Sequence, residues 1–248
     1  LLSAVLTWTL AAPAVFERLH WRRAWIITHK LTMPLVIIGI LLSTMHQSSL
    51  GSLWLIAPGK LHPLWYTPFL PVFFWISAIA VGLNMVVVES NLSSRGMKRG
   101  LEQDLLASLS KAASGLLAFY VIAKLADLVW RGQAYQLTQP TLQAALFWVE
   151  LFVCALVPAI LLSRPAVREN KNALFAVATV VVIGGILNRL NVNMFGMYNY
   201  TGPVYIPSLF EIIVTAAMFT FGAAVFALAA KFLPVFPAEE PAAETAQS

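Results

Sequence analysis

The sequence predicts an all-α fold, a polytopic transmembrane helical bundle with seven spans. Three observations point there. Of the 248 residues, 59% are hydrophobic and only 11% are charged, whereas a soluble domain carries about 25% charged residues. The apolar runs approach or exceed the roughly 20 residues that a helix needs to cross hydrocarbon, not the short alternating segments of a barrel. Basic residues also alternate from one connection to the next, as expected of a chain threading back and forth through a bilayer.

The first span, Leu1 to Phe16, opens already apolar, with no initiator methionine and no basic leader region. It reads as the middle of a span, so upstream spans are expected to be missing. The second runs from Ile26 to about Leu50 and the third from Trp65 to Val88. Leu105 to Trp130 is the fourth, Leu142 to Leu162 the fifth, Ala173 to Leu190 the sixth and Ile206 to Leu233 the seventh. Residues 1–233 are thus expected to form one transmembrane domain. Residues 234–248, rich in Pro, Ala and Glu, are expected to be a disordered tail that cannot bury a core.

The connections fix a predicted topology. Arg18, Arg22 and Arg23 lie in the first, only Lys60 in the second, and Arg95, Lys98 and Arg99 in the third. The fourth holds no basic residue beyond the bordering Arg131, the fifth holds Arg164, Arg168 and Lys171, and the sixth holds none. The odd connections are therefore expected to be cytoplasmic, with the C-terminus on the same side, beside Lys231. The net charge of +5 belongs to this pattern and is not a nucleic-acid signal. Trp21 and Trp25 are expected at the inner interface. Trp54, Trp65, Tyr66, Trp130, Tyr198, Tyr200 and Tyr205 are expected in the outer aromatic belt. Trp75 and Trp148 fall mid-span and read as packing residues. Gly51, Gly82, Gly115, Gly184 and Gly185 read as close helix contacts, and Pro34 and Pro158 as kinks. The single cysteine, Cys154, reads as an inert core residue and excludes a cysteine-based cluster.

Polar groups then collect at one depth. His46, Gln47 and Ser49 close the second span within the run Ser43–Ser52. Lys124 and Asp127, spaced i, i+3, lie near the outer end of the fourth and can pair. Glu150 lies in the outer half of the fifth, Asn188 and Arg189 end the sixth, and Glu211 opens the seventh. Only Glu89, Lys111 and the His29–Lys30 pair fall in the inner half. An ionisable group inside a span costs about 2.5–3.5 kcal/mol on insertion scales, so such clustering calls for partners or a ligand. Each residue also has a plain structural reading: an ion pair for Lys124 with Asp127, snorkelling for Arg189, a helix-dipole contact for Glu211. Together they suit a quinone headgroup, whose two carbonyl oxygens need hydrogen bonds and a proton donor near neutral pH.

The stretch His46-Gln47-Ser48-Ser49-Leu50-Gly51-Ser52, followed by His62-Pro63-Leu64-Trp65, resembles the NrfD/PsrC family, as does Leu187-Asn188-Arg189-Leu190-Asn191-Val192. Within that family the chain is most similar to the HybB-type membrane subunits of periplasm-facing nickel–iron hydrogenases. The resemblance implies two packed four-helix bundles with extra helices, set in the bacterial inner membrane. It implies a subunit of an oxidoreductase complex that passes electrons between a periplasmic iron–sulfur ferredoxin-like subunit and the quinone pool. The catalytic partner would be a nickel–iron hydrogenase or a molybdopterin enzyme. Menaquinone or ubiquinone would be an exchangeable substrate near the periplasmic side, and no haem is expected.

His46, Gln47, Ser49, Asp127, Arg189 and Glu211 are the expected quinone-binding residues. Glu89, with Lys111, is carried over from the resemblance as a proton-transfer position, and Glu150 joins them by depth. The hydrogenase-type pattern has about ten spans, so three upstream spans would be absent here. Two alternatives stand beside this expectation. One is a b-type cytochrome anchor, although His29 and His46 lie on one helix about 25 Å apart at 1.5 Å per residue. The other is a secondary transporter gated by its buried charges.

Overall fold

The computed structural model describes residues 16, 19, 21–56, 59–97, 101–197 and 208–232. Most of the first predicted span, the aromatic positions Tyr198, Tyr200 and Tyr205, and the predicted tail lie outside these residues. The described elements are helical throughout. They comprise α1 (Arg22–Leu53), α2 (Leu70–Met97), α3 (Gln103–Trp130), α4 (Leu142–Ser163), the short α5 (Pro165–Glu169), α6 (Lys171–Asn193) and α7 (Leu209–Phe232). Single 3-10 turns follow α3, at Ala134–Thr138, and α6, at Phe195–Met197. Among the described residues five helices are long and apolar enough to cross a membrane, namely α1 to α4 and α6, and α7 adds a shorter apolar stretch at Leu209–Val225.

The chain divides into two units. One consists of residues 1–43 and 206–248. Its described helices are apolar on nearly every side and mostly exposed, the pattern of a helix that meets lipid all round. α1 continues unbroken through Pro34.

The second unit, residues 44–205, is an up-down-up-down four-helix bundle. α2 packs on α3, α3 on α4, α4 on α6 and α6 back on α2, as short antiparallel connections require. Its interior holds Leu117, Phe147, Leu151, Leu162, Leu174 and Val181. Local chemistry sets the helix ends. Thr141 Oγ1 accepts the Ala144 N–H, and Asn170 Oδ1 accepts those of Asn172 and Ala173, which caps α4 and α5–α6 junctions with the residue types that favour it. α3 ends at Gly132, whose φ of +66° lets Gln133 and Gly132 donate to the carbonyls of Leu128 and Val129, a glycine-closed C-terminus.

Four expectations change. The third span begins at Leu70, not Trp65, because Thr67 and Pro68 turn the chain, with the Leu70 N–H bonded to the Thr67 carbonyl. Trp65 is not a belt residue: it is 1% exposed. Trp75 and Trp148, expected inside, are exposed. Of the five glycines, Gly51, Gly184 and Gly185 make close contacts. A Cβ on Gly51 would meet the Pro71 backbone, one on Gly184 would overlap Cys154 Cβ, and one on Gly185 would reach Val81 at 2.6 Å. Gly82 and Gly115 face open space.

These contacts predict an asymmetric response. Gly184→Ala should lower the melting temperature of the purified protein by an amount worth about 1–3 kcal/mol, through overlap with Cys154. Gly115→Ala should leave it unchanged or raise it slightly, since it gains helix propensity without a clash. Differential scanning fluorimetry on the two variants checks both.

Candidate functional site

The centre of the bundle is a carboxylate surrounded by donors. Glu150 is 3% exposed. Its Oε1 accepts from Lys124 Nζ at 2.6 Å and Asn188 Nδ2 at 2.7 Å, with the Tyr120 hydroxyl at 3.5 Å. Its Oε2 accepts from Trp65 Nε1 at 3.0 Å and Asn191 Nδ2 at 2.8 Å. Lys124 in turn donates to Tyr120 Oη at 2.9 Å, and its ammonium sits 5.1 Å from the Phe147 ring centroid. An ionised carboxylate is acceptor-only, and every one of these neighbours can donate. Three bundle helices and the connection before α2 supply the set.

The backbone is shaped to this purpose. Residues Val149–Leu156 form a π-helical segment with Glu150 in its first turn. Pro158 follows. It has no N–H for the Cys154 carbonyl, and its ring crowds that carbonyl, which favours a wider turn just upstream. Such π segments are rare and recur at functional positions. On α6, Asn188 and Asn191 are one turn apart and both reach Glu150.

Arg189 adjoins this cluster. Its guanidinium donates to Asn188 Oδ1 at 2.6 Å, Ser77 Oγ and the Phe74 carbonyl at 3.2 Å, and Gln47 Oε1 at 3.4 Å. It also lies 3.8 Å from the Phe74 ring centroid. Lys124–Glu150 and Arg131–Asp127 are ion pairs, and Arg189 belongs to neither.

A third polar group lies closer to the connections. Asp127 does not pair with Lys124 as the i, i+3 spacing predicted. It accepts from Thr67 Oγ1 at 2.8 Å and from Arg131 Nε at 2.9 Å, while Arg131 Nη1 holds the Pro63 carbonyl at 2.8 Å. Lys124 points into the bundle and Asp127 toward its end, so each takes a partner from a different element. Asp127 also borders an apolar groove of about 410 Å³ between α2 and α3, walled by Phe69, Val72, Phe73, Phe119 and Trp130.

The remaining predicted residues are placed as follows. Gln47 reaches Arg189. His46 and Ser49 are exposed on α1, Glu89 and Lys111 are exposed on α2 and α3, and Glu211 is exposed at the start of α7. Sequence reasoning missed Trp65, Tyr120 and Asn191 as members of the cluster. A usable signal was there: Tyr120 is one turn from Lys124, and Asn191 lies three residues after Asn188. His62 was also underrated. It is 5% exposed, its backbone N–H bonds the Gly196 carbonyl at 2.9 Å, and its Nδ1 accepts the Leu64 N–H at 3.3 Å. It thereby ties two connections together over Trp65.

Two outcomes are expected. Lys124→Met should cost about 3–5 kcal/mol of stability, because it leaves Glu150 buried without its counter-ion, and Lys124→Met/Glu150→Gln should recover part of that loss; thermal melts of the three proteins decide. Burial holds the His62 imidazole below its ordinary pKa, so the folded chain favours the neutral ring. Stability should therefore fall as pH drops through the ordinary histidine value, and the loss should be complete below the lowered one. His62→Asn, which keeps an acceptor, should flatten that part of a pH-dependent melting curve.

The family pattern of "Polysulphide reductase, NrfD" matches residues 2–201. A protein of Nitratidesulfovibrio vulgaris is 37% identical over 90% of this chain and 60% of its own. The probable Ni/Fe-hydrogenase 2 b-type cytochrome subunit of Escherichia coli is 28% identical over 91% of this chain and 58% of its own. The integral membrane subunit of menaquinone reductase from Nitratidesulfovibrio vulgaris is 29% identical over 84% and 55%. The chain thus spans 55–60% of the length of these relatives. With a family match across most of its length and a bundle of membrane-length helices, the chain belongs to the NrfD polysulphide reductase family of multi-pass membrane proteins.

Proposed function

We propose that this chain is a quinone-interacting membrane subunit of a respiratory oxidoreductase complex, of hydrogenase type. Arg189 is the observation that carries the reading. Inside a span a cation is costly unless it is paired or serves a ligand, and Arg189 is held by neutral acceptors alone. A guanidinium aimed by fixed partners suits an electron-rich carbonyl oxygen whose negative charge grows on reduction. Gln47 and Ser77 beside it offer further hydrogen bonds. The apolar groove bordered by Asp127 is the candidate seat for an isoprenoid chain, being walled almost wholly by rings and aliphatic groups.

The reaction is quinone plus two electrons plus two protons giving quinol, or its reverse. The electrons would pass through a periplasmic iron–sulfur partner bound to a catalytic subunit, the arrangement that the family resemblance implies; two relatives are named as subunits of a hydrogenase and of a menaquinone reductase. The protons would come through side chains of this chain. Glu150 is the candidate nearest Arg189, and it can accept one only if Lys124 or an asparagine withdraws. Glu89 and Lys111, exposed on their helices, are the candidates further along. His46, Ser49 and Glu211 remain candidate quinone contacts. The alternating charges support placement in a bacterial inner membrane with the C-terminus cytoplasmic, and residues 1–233 as the family's membrane domain with 234–248 as its tail.

The name of the Escherichia coli relative favours a second reading, a b-type cytochrome anchor. The described histidines fit it poorly. His29 and His46 share α1, and His62 uses Nδ1 on the Leu64 N–H and packs edge-on against Trp65. A haem absorption band in the purified subunit would favour this alternative.

Arg189→Gln should lower quinone-linked turnover of the assembled complex at least tenfold and leave dye-linked turnover unchanged. Equal losses in both assays would show that Arg189 serves assembly, and the quinone reading would lose its main support.

A further inference from the structure

Next to the Glu150 cluster, where α2, α3, α4 and α6 meet, lies a cavity of about 30 Å³. Its lining includes Ser77, Tyr120, Glu150 and Asn188, with Ala155 and Gly184 among the apolar walls. Gly184 abuts Cys154 at one side of the space, and Ala155 lines it from the π-helical segment. A buried water needs at least about 10–15 Å³ and two to four polar partners. Both conditions are met for one or two waters.

Tyr120 and Ser77 both keep hydrogen-bonding capacity that such a water would use. The Tyr120 oxygen accepts from Lys124 at 2.9 Å and from Asn188 at 3.4 Å. Its own proton reaches only Glu150 Oε1, at 3.5 Å, the outer limit of a hydrogen bond. A buried hydroxyl proton with so poor an acceptor is under-used, and leaving a donor unmade is costly. Ser77 Oγ, on the opposite helix, donates to the Phe74 carbonyl at 3.1 Å and accepts from Arg189, and it keeps one lone pair for a further donor.

We propose that this cavity is a structural water site. The water takes the Tyr120 hydroxyl proton and donates to Ser77 Oγ. Beside the direct link through Asn188, it adds a second hydrogen-bonded chain from the ion pair to Arg189, Glu150–Lys124–Tyr120–water–Ser77–Arg189. No electron or group is transferred. The site does not depend on the quinone reading: it would exist in a subunit that binds no quinone, and its tests do not use turnover.

The competing view is a dry void left by the glycine contact. A cryo-electron microscopy map of the purified complex, at a resolution that shows ordered solvent, should reveal density about 3 Å from both Tyr120 Oη and Ser77 Oγ. Absence of density there, with both side chains well defined, overturns the proposal. Two variants separate the views independently. Ala155→Val fills the space with carbon and should lower the melting temperature by about 2–4 °C, the shift expected for roughly 1 kcal/mol, because it evicts the water. Ala155→Ser places a hydroxyl there and should leave the melting temperature within about 1 °C of wild type. A rise with Ala155→Val marks a dry void that welcomes filling, and overturns the proposal. A fall with Ala155→Ser as large as that with Ala155→Val marks simple crowding, and overturns it as well.

Discussion

Removing a carboxylate and an ammonium from water costs several kcal/mol per ion, and the bundle of α2, α3, α4 and α6 is arranged to meet that cost at one point. Lys124 and Glu150 face each other from adjacent helices at 2.6 Å. The remaining acceptor capacity of Glu150 is taken by an indole and two carboxamides, with the Tyr120 phenol 3.5 Å away. Three of these donors are also anchored by something else, while Asn191 holds Glu150 with its Oδ1 unpartnered. Trp65 is held by the His62 turn and Phe147, Tyr120 by an edge contact with Phe73, and Asn188 by Arg189. A half-satisfied polar network is worse than none in a low-dielectric interior, so these residues act as a unit. The connections at the His62 end are part of that unit, because they deliver Trp65.

Close packing is what allows the unit to form. Gly184 lets α6 approach the Cys154 backbone of α4, and Gly185 makes room for the Val81 side chain of α2, as small residues do where helices meet in membranes. The π-helical segment turns Glu150 inward at the level of Asn188 and Asn191. A carboxylate one residue away on a regular helix would be rotated by about 100°, off the donors. Backbone irregularity and side-chain chemistry therefore coincide, and neither has an obvious role without the other.

The bundle also separates two kinds of surface. Its interior carries a fixed polar centre, whereas the groove between α2 and α3 is apolar with Asp127 at its edge. Phe73 lines that groove and touches Tyr120, so one ring layer divides the groove from the buried charges. The matched stretch makes up 55–60% of the length of these relatives.

The sequence alone determined what composition and periodicity can encode. Membrane-length apolar runs set the described helices to within about four residues, except the third span, which runs Leu70–Met97 rather than Trp65 to Val88, and alternating charges predicted which ends share a side. The repeated appearance of Glu150, Lys124, Asn188 and Arg189 at one predicted depth already marked a polar layer, since hydrocarbon does not tolerate isolated charges. Depth, however, is one coordinate of three. Whether Lys124 pairs with Asp127 or Glu150 depends on the azimuth of each helix, and a π turn or a pair of glycines alters that azimuth without leaving a trace in hydropathy. Trp65 read as an interface residue because its place in the chain is a connection. Only the fold shows that the connection turns inward, because the backbone bonds of His62 and Gly196 join segments over 130 residues apart.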